Sequence, residues 1–122
     1  MKKIMVVDDE LEITRLLESF LQKSGYSVTA VNSGGGALEK IAQGEAFELA
    51  IVDLRMPKVN GHQVISEIKK RDQNTPVLVL SGSIGLGGDV KEIMKSGIQE
   101  SDILCKPVDL FVLLDKIKQK LG

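Results

Sequence analysis

Five short runs rich in β-branched and aliphatic residues punctuate the chain: IMVV (4–7), YSVTA (26–30), LAIVD (49–53), PVLVL (76–80) and DILC (102–105). Between them, apolar residues recur at helical spacing. Ile13, Leu17, Phe20 and Leu21 fall on one face, as do Ala37, Leu38, Ile41 and Ala42. Shorter stripes follow at Val64, Ile65 and Ile68 and at Val90, Ile93 and Met94, and a long one at Leu110, Leu113, Leu114, Ile117 and Leu121. Five strands alternating with five helices read as a parallel sheet covered on both faces. No linker divides the chain and no repeat is visible, so residues 1–122 are expected to form a single domain.

The punctuation between the runs agrees with this. Gly25 follows the first helix as a C-terminal cap would, Gly97 does the same for the fourth, and Pro76 stands where a strand start tolerates a missing N–H. Two places fit less well. Gly34-Gly35-Gly36 opens the second helix at a cost of roughly 1 kcal/mol per interior glycine, and GSIGLGGD (82–89) makes the start of the fourth helix poor in helix formers.

The acids at the strand ends carry the functional question. LAIVD ends a buried-looking strand on a carboxylate, Asp53, and the chain then turns through Met56-Pro57 to Gly61. Such an acid is costly unless hydrogen-bonded, paired or metal-bound, which leaves a helix cap, a surface acid or half of an active site. Asp8 and Asp9 directly follow the first strand. In an open parallel sheet, ligands collect beyond the carboxyl ends of the strands, where the winding reverses. If the strand order is 2-1-3-4-5, a common doubly wound arrangement, the first and third strands are neighbours and three carboxylates meet at one edge. Their repulsion calls for a cation, and an all-oxygen donor set favours Mg2+, with Mn2+ as the alternative.

Two further strand ends complete a pattern. Ser81-Gly82 offers a hydroxyl and an unobstructed backbone N–H, and Lys106-Pro107 offers a fixed positive charge. Acids, a hydroxyl and an ammonium around a metal suit a phosphoryl group, with Asp53 as the nucleophile that accepts it.

Asp8-Asp9, the block Asp53-Leu54-Arg55-Met56-Pro57 ending in Gly61, Ser81-Gly82 and Lys106-Pro107, in that order at strand ends, make the whole chain resemble a two-component response-regulator receiver domain of the CheY-like superfamily. The resemblance implies a flavodoxin-like (βα)5 three-layer sandwich with strand order 2-1-3-4-5 and a magnesium-dependent phosphoaspartate at Asp53. It implies that Asp9 ligates the metal directly, that Asp8 acts mainly through water, and that Asp53 and the backbone carbonyl of Arg55 complete the protein ligands. Lys106 and Ser81 would contact the phosphoryl group, with the Gly82 backbone beside them. Ser81 would also act in the switch with Ile103, which stands where the family usually has Tyr or Phe. Val108 departs from a common phenylalanine, and GIQESDILCK (97–106) looks about two residues longer than usual.

The implied function is a phosphoacceptor that catalyses its own phosphorylation and dephosphorylation rather than turning over a small molecule. Its expected partners are a histidine kinase or histidine phosphotransfer protein, and a downstream target or a linked output domain outside these residues. The resemblance also allows a phosphorylation-dependent homodimer through the fourth helix, fifth strand and fifth helix. A receiver that binds partners without phosphorylation is the alternative. A magnesium phosphohydrolase with an aspartyl nucleophile is the weaker third, because no cap domain is visible and Arg55 stands where a general acid is usual.

Composition narrows the partners. With 16 basic and 17 acidic side chains the formal charge is -1, which provides no field for nucleic acid or an anionic membrane. The single cysteine, Cys105, permits no internal disulfide and no thiolate zinc cluster, and reads as a small buried hydrophobe. His62 is expected to start the third helix. No signal-peptide core or membrane span is evident, so a cytoplasmic location is expected.

Overall fold

A computed structural model describes residues 1–82 and 87–122, with backbone alone at residues 87–90. The expected runs are all strands: β1 (Lys3–Val7), β2 (Ser27–Val31), β3 (Leu49–Asp53), β4 (Val77–Ser81) and β5 (Ile103–Cys105). The helices between and after them are α1 (Leu11–Lys23), α2 (Gly34–Ala42), α3 (Gly61–Arg71), α4 (Gly87–Met94) and α5 (Leu110–Leu121). All strand pairs are parallel and the order is β2-β1-β3-β4-β5, the flavodoxin-like arrangement. Residues 83–86 of the expected glycine-rich loop lie outside the described residues, as does the side chain of Val90 in the α4 stripe.

Strand alternation splits the core into two layers. Met5, Val7, Ala50, Val52, Val77 and Val79 face α2, α3 and α4, where Ala37, Ile41, Val64, Ile65, Ile68 and Ile93 meet them. Ile4, Val6, Leu49, Ile51, Leu78 and Leu80 face α1 and α5, against Leu17, Leu21, Leu113 and Ile117. The helical stripes read from the sequence are therefore the buried faces, except that Ala42 and Met94 at the ends of theirs are exposed.

Local chemistry sets the helix boundaries. Ser33 caps α2 by accepting from Gly36 N at 2.9 Å, so the glycine triplet is helical from its first residue. Asn60 and Gln63 form a reciprocal capping box at the start of α3, which places His62 in its first turn. Gly25 and Gly97 have φ of +98° and +88°, as expected of residues just past a helix end. The segment before β5 contains a 3-10 turn, Glu100–Asp102. Buried Asp102 ties that turn to α5 through an ion pair with Lys120 at 2.8 Å.

Cys105 does not take the buried position expected of it. It is exposed, because β5 is a three-residue edge strand whose last position has no sheet neighbour on its outer side.

Candidate functional site at the carboxyl edge of the sheet

Register brings the strand ends level. Val7 is paired with Val52, Asp53 with Leu80, and Ser81 with Cys105. One step beyond these pairs the chain leaves β1 at Asp8 and β5 at Lys106, so the acids and the lysine meet at one edge. The Lys106 N–H donates to the Ser81 carbonyl at 2.9 Å, which anchors the start of the lysine loop to the end of β4.

The lysine ammonium is the hub. Lys106 Nζ lies 2.9 Å from Asp8 Oδ2, 2.9 Å from Glu10 Oε1 and 3.4 Å from Asp53 Oδ2. Asp8 is fully buried and Asp53 is 3% exposed. Asp8 is fixed by its own turn: Oδ1 accepts from Glu10 N at 2.9 Å, and the main chain is held by Asn32 Nδ2 on the Asp8 carbonyl at 3.2 Å. Asn32 also donates to buried Thr14 Oγ1 at 2.8 Å, tying the β2 end to the first turn of α1.

Asp53 is held at the mouth of the β3–α3 loop. Its Oδ1 accepts a long bond from Arg55 N at 3.4 Å, while Gly61 N donates to the Leu54 carbonyl at 2.9 Å. Val59 N donates to the Pro57 carbonyl, and Lys58 between them has φ of +66°. Loss of hydration on burial, with the negative charge of Asp8 added, pushes the Asp53 carboxyl up to about 6 against the pull of Lys106 and Arg55 N–H. Burial works against the Lys106 charge, but Glu10 and Asp8, with Asp53 close by, hold the ammonium above the ordinary lysine value.

The donors suit a hard divalent cation. Asp8, Asp9 and Glu10 each bring a carboxylate oxygen within 4.8 Å of the others, a cluster able to coordinate a divalent metal. Asp8 Oδ2 is buried and, although beside the Lys106 ammonium, receives no aligned hydrogen bond. That oxygen is charge-paired with the lysine and keeps lone-pair capacity for a cation or a water bound to one.

The expected residues are thus brought to one edge in unequal degree. Asp8, Asp53 and Lys106 are in direct contact, and Asp9 lies exposed at the rim of the acidic cluster. Ser81 is half-buried at the end of β4, and Gly82 follows it. Among the described residues a Cβ at Gly82 would meet nothing within 4 Å, so crowding is not what requires glycine there. Ile103 lies lower on β5, partly buried against the α2–α4 layer. Three residues escaped sequence reasoning. Glu10, Thr14 and Asn32 contribute by folding position, and only the acidity of Asp8-Asp9-Glu10 as a run hinted at the first.

The fold and the site agree with what the chain is similar to. The family model "Response regulator receiver domain" matches residues 4–118, and the chain belongs to that family of signal-transduction receivers. The transcriptional regulatory protein CpxR homolog of Haemophilus influenzae is 35% identical over 118 residues, covering 97% of this chain and 49% of that protein. A CheY-like receiver domain protein of Methanospirillum hungatei has a TM-score of 0.90 at 29% identity, covering 99% of this chain and 94% of that one. The response regulator TrrA of Thermotoga maritima, solved in complex with Mg2+-BeF, has a TM-score of 0.84 at 30% identity, covering 99% of this chain and 100% of that one. The chain spans about half or less of the length of the curated relatives it matches. Among the described residues, no helix is long and apolar enough to cross a membrane.

Proposed function

We propose that the chain accepts a phosphoryl group on Asp53 from a phosphohistidine donor, a histidine kinase or histidine phosphotransfer protein, and passes the signal on through a protein-interaction face. The observation that carries the reading is the grouping of Asp53 and Asp8 about one lysine at the carboxyl edge of a receiver fold.

In the transfer, an Asp53 carboxylate oxygen attacks phosphorus. The P–O bond forms as the P–N bond breaks, and the electron pair returns to an imidazole that leaves as the neutral ring, protonated on its other nitrogen. Hydrolysis reverses the loading: water attacks phosphorus, the Asp53 O–P bond breaks, and inorganic phosphate leaves with the carboxylate regenerated. Lys106 donates to a phosphoryl oxygen, and the Ser81 hydroxyl and Gly82 N–H stand on the neighbouring strand end to do the same.

Asp9, Asp53 and the Arg55 carbonyl would hold Mg2+, with Asp8 acting through water. The charge supplied by Mg2+ when bound would favour the ionised form of Asp53, whose carboxyl is otherwise raised to about 6, and offset the phosphoryl oxygens. Movement of Ser81 toward the phosphoryl group, with Ile103 repacking below it, would carry the change to the face of α4, β5 and α5. That face would meet a downstream target, a linked output domain or a second copy. Incubation with acetyl phosphate and Mg2+, read by intact mass, tests the reading: one phosphoryl group is expected on the wild type and none on Asp53→Asn.

A further inference from the structure

We infer that Glu10 is a positioning residue that competes with the phosphoryl group for the Lys106 ammonium and so slows loading of the receiver; the inference rests on the phosphoacceptor reading of Asp53. Glu10 occupies the N-cap of α1, yet its side chain makes no capping hydrogen bond. Its main chain does that work, its carbonyl accepting from Ile13 N and Thr14 N, and the side chain is left to reach Lys106. The Lys106 Nζ–Glu10 Oε1 contact, at 2.9 Å, is an aligned hydrogen bond. The ammonium approaches Asp8 at 2.9 Å without such alignment, and Asp53 only to 3.4 Å. In the resting molecule one of the ammonium's three N–H donors is therefore engaged by Glu10, and its contact to the nucleophile is the longest of the three carboxylate contacts.

A phosphoryl oxygen on Asp53 needs an aligned donor from that same nitrogen. Of the three carboxylates, Asp8 and Asp53 are shut in, with side chains 0% and 4% exposed, whereas the Glu10 side chain is 59% exposed. Glu10 is the carboxylate that can turn to water without an uncompensated buried charge. Its release sets a small added barrier, of the size of a solvent-screened pair, about two- to fivefold in rate or affinity.

The experiment compares wild type, Glu10→Gln and Glu10→Asp in saturating Mg2+. It measures the rate of loading from acetyl phosphate, beryllofluoride affinity by calorimetry, and, without either ligand, the Lys106 15Nζ resonance. Glu10→Gln should load faster and bind beryllofluoride more tightly by about two- to fivefold, Glu10→Asp should fall between, and the gain should shrink as salt rises. The Nζ resonance should shift in Glu10→Gln, a change a merely structural residue would not cause. Unchanged or slower loading in Glu10→Gln, with wild type still loaded on Asp53, overturns the inference alone. So does a tenfold loss of Mg2+ affinity in Glu10→Gln, which would assign the carboxylate to the metal. A wild type that takes neither ligand overturns the phosphoacceptor reading as well.

Discussion

Gly61 lies against the main chain that carries Asp53: a Cβ at Gly61 would stand 2.3 Å from the Asp53 carbonyl oxygen and 2.7 Å from Leu54 Cα. The close approach lets α3 begin directly under the end of β3 and closes the connection from Asp53 to Gly61 in nine residues, 53–61. Gly34 has a parallel role on the other side of the loop, where a Cβ would stand 2.1 Å from the Val59 carbonyl oxygen. Neither neighbour is a flexible side-chain end, so the backbone must move to admit a methyl group.

Gly61→Ala should therefore cost about 1–3 kcal/mol and displace Asp53, as overpacking does. Gly35→Ala, where a Cβ meets nothing within 4 Å, should be neutral or stabilise α2 by up to about 1 kcal/mol. Urea unfolding of both variants checks the contrast. Equal effects would contradict the close approach at Gly61.

The Asp53 carboxyl gives a pH signature. Its folded value of about 6 lies above its ordinary 3.8, so the stability it contributes is full below about 3.8 and lost as pH rises through about 6. Asp53→Asn has no such titration. In EDTA the variant should gain on the wild type by about 1–3 kcal/mol between about pH 4 and about pH 7. Denaturation curves that stay parallel across that range would refute the buried, repelled state of Asp53.

Lys106→Met leaves Asp8 and Asp53 buried without their cation. The variant should lose about 3 kcal/mol or more of stability in EDTA, as when one partner of a buried pair is removed. It should also bind Mg2+ more tightly than the wild type, so that added Mg2+ narrows the gap by mass action. A gap indifferent to Mg2+ would separate the lysine from the metal cluster.

The two adjacent acids should behave differently. Asp8 is fully buried beside Lys106, and Asp9 is exposed at the rim of the cluster. In calorimetric titration Asp9→Ala should lose more Mg2+ affinity than Asp8→Ala. Asp8→Ala should instead lower the Asp53 titration, because it removes a negative neighbour. Unchanged Mg2+ binding in the double alanine variant would remove the metal from this edge.

How much of this was legible in the sequence follows from the range of each signal. β3 and its terminal Asp53 announce themselves through five consecutive buried positions, and Asn60, Gln63 and Gly61 mark the start of α3 locally. The strand order had no local signal and came from the resemblance, since parallel pairing joins segments far apart in the chain. Glu10 was missed because its partner Lys106 is 96 residues away, and the contact depends on where α1 starts relative to β5. Cys105 was misread because three residues of β5 are too few for an alternation to declare a face. Gly34 looked like a helix-weakening residue, and only the folded β3–α3 loop shows Val59 occupying the space of its Cβ.

The most direct measurement is chemical trapping of the loaded residue. Protein treated with acetyl phosphate and Mg2+ is reduced with borohydride, which converts an aspartyl phosphate to homoserine, and is then mapped by peptide sequencing in the mass spectrometer. Homoserine is expected at position 53, and none there in Asp53→Asn or when Mg2+ is chelated. Homoserine at Asp8, Asp9 or another acid, or at no position in a protein that binds Mg2+, would contradict phosphorylation of Asp53.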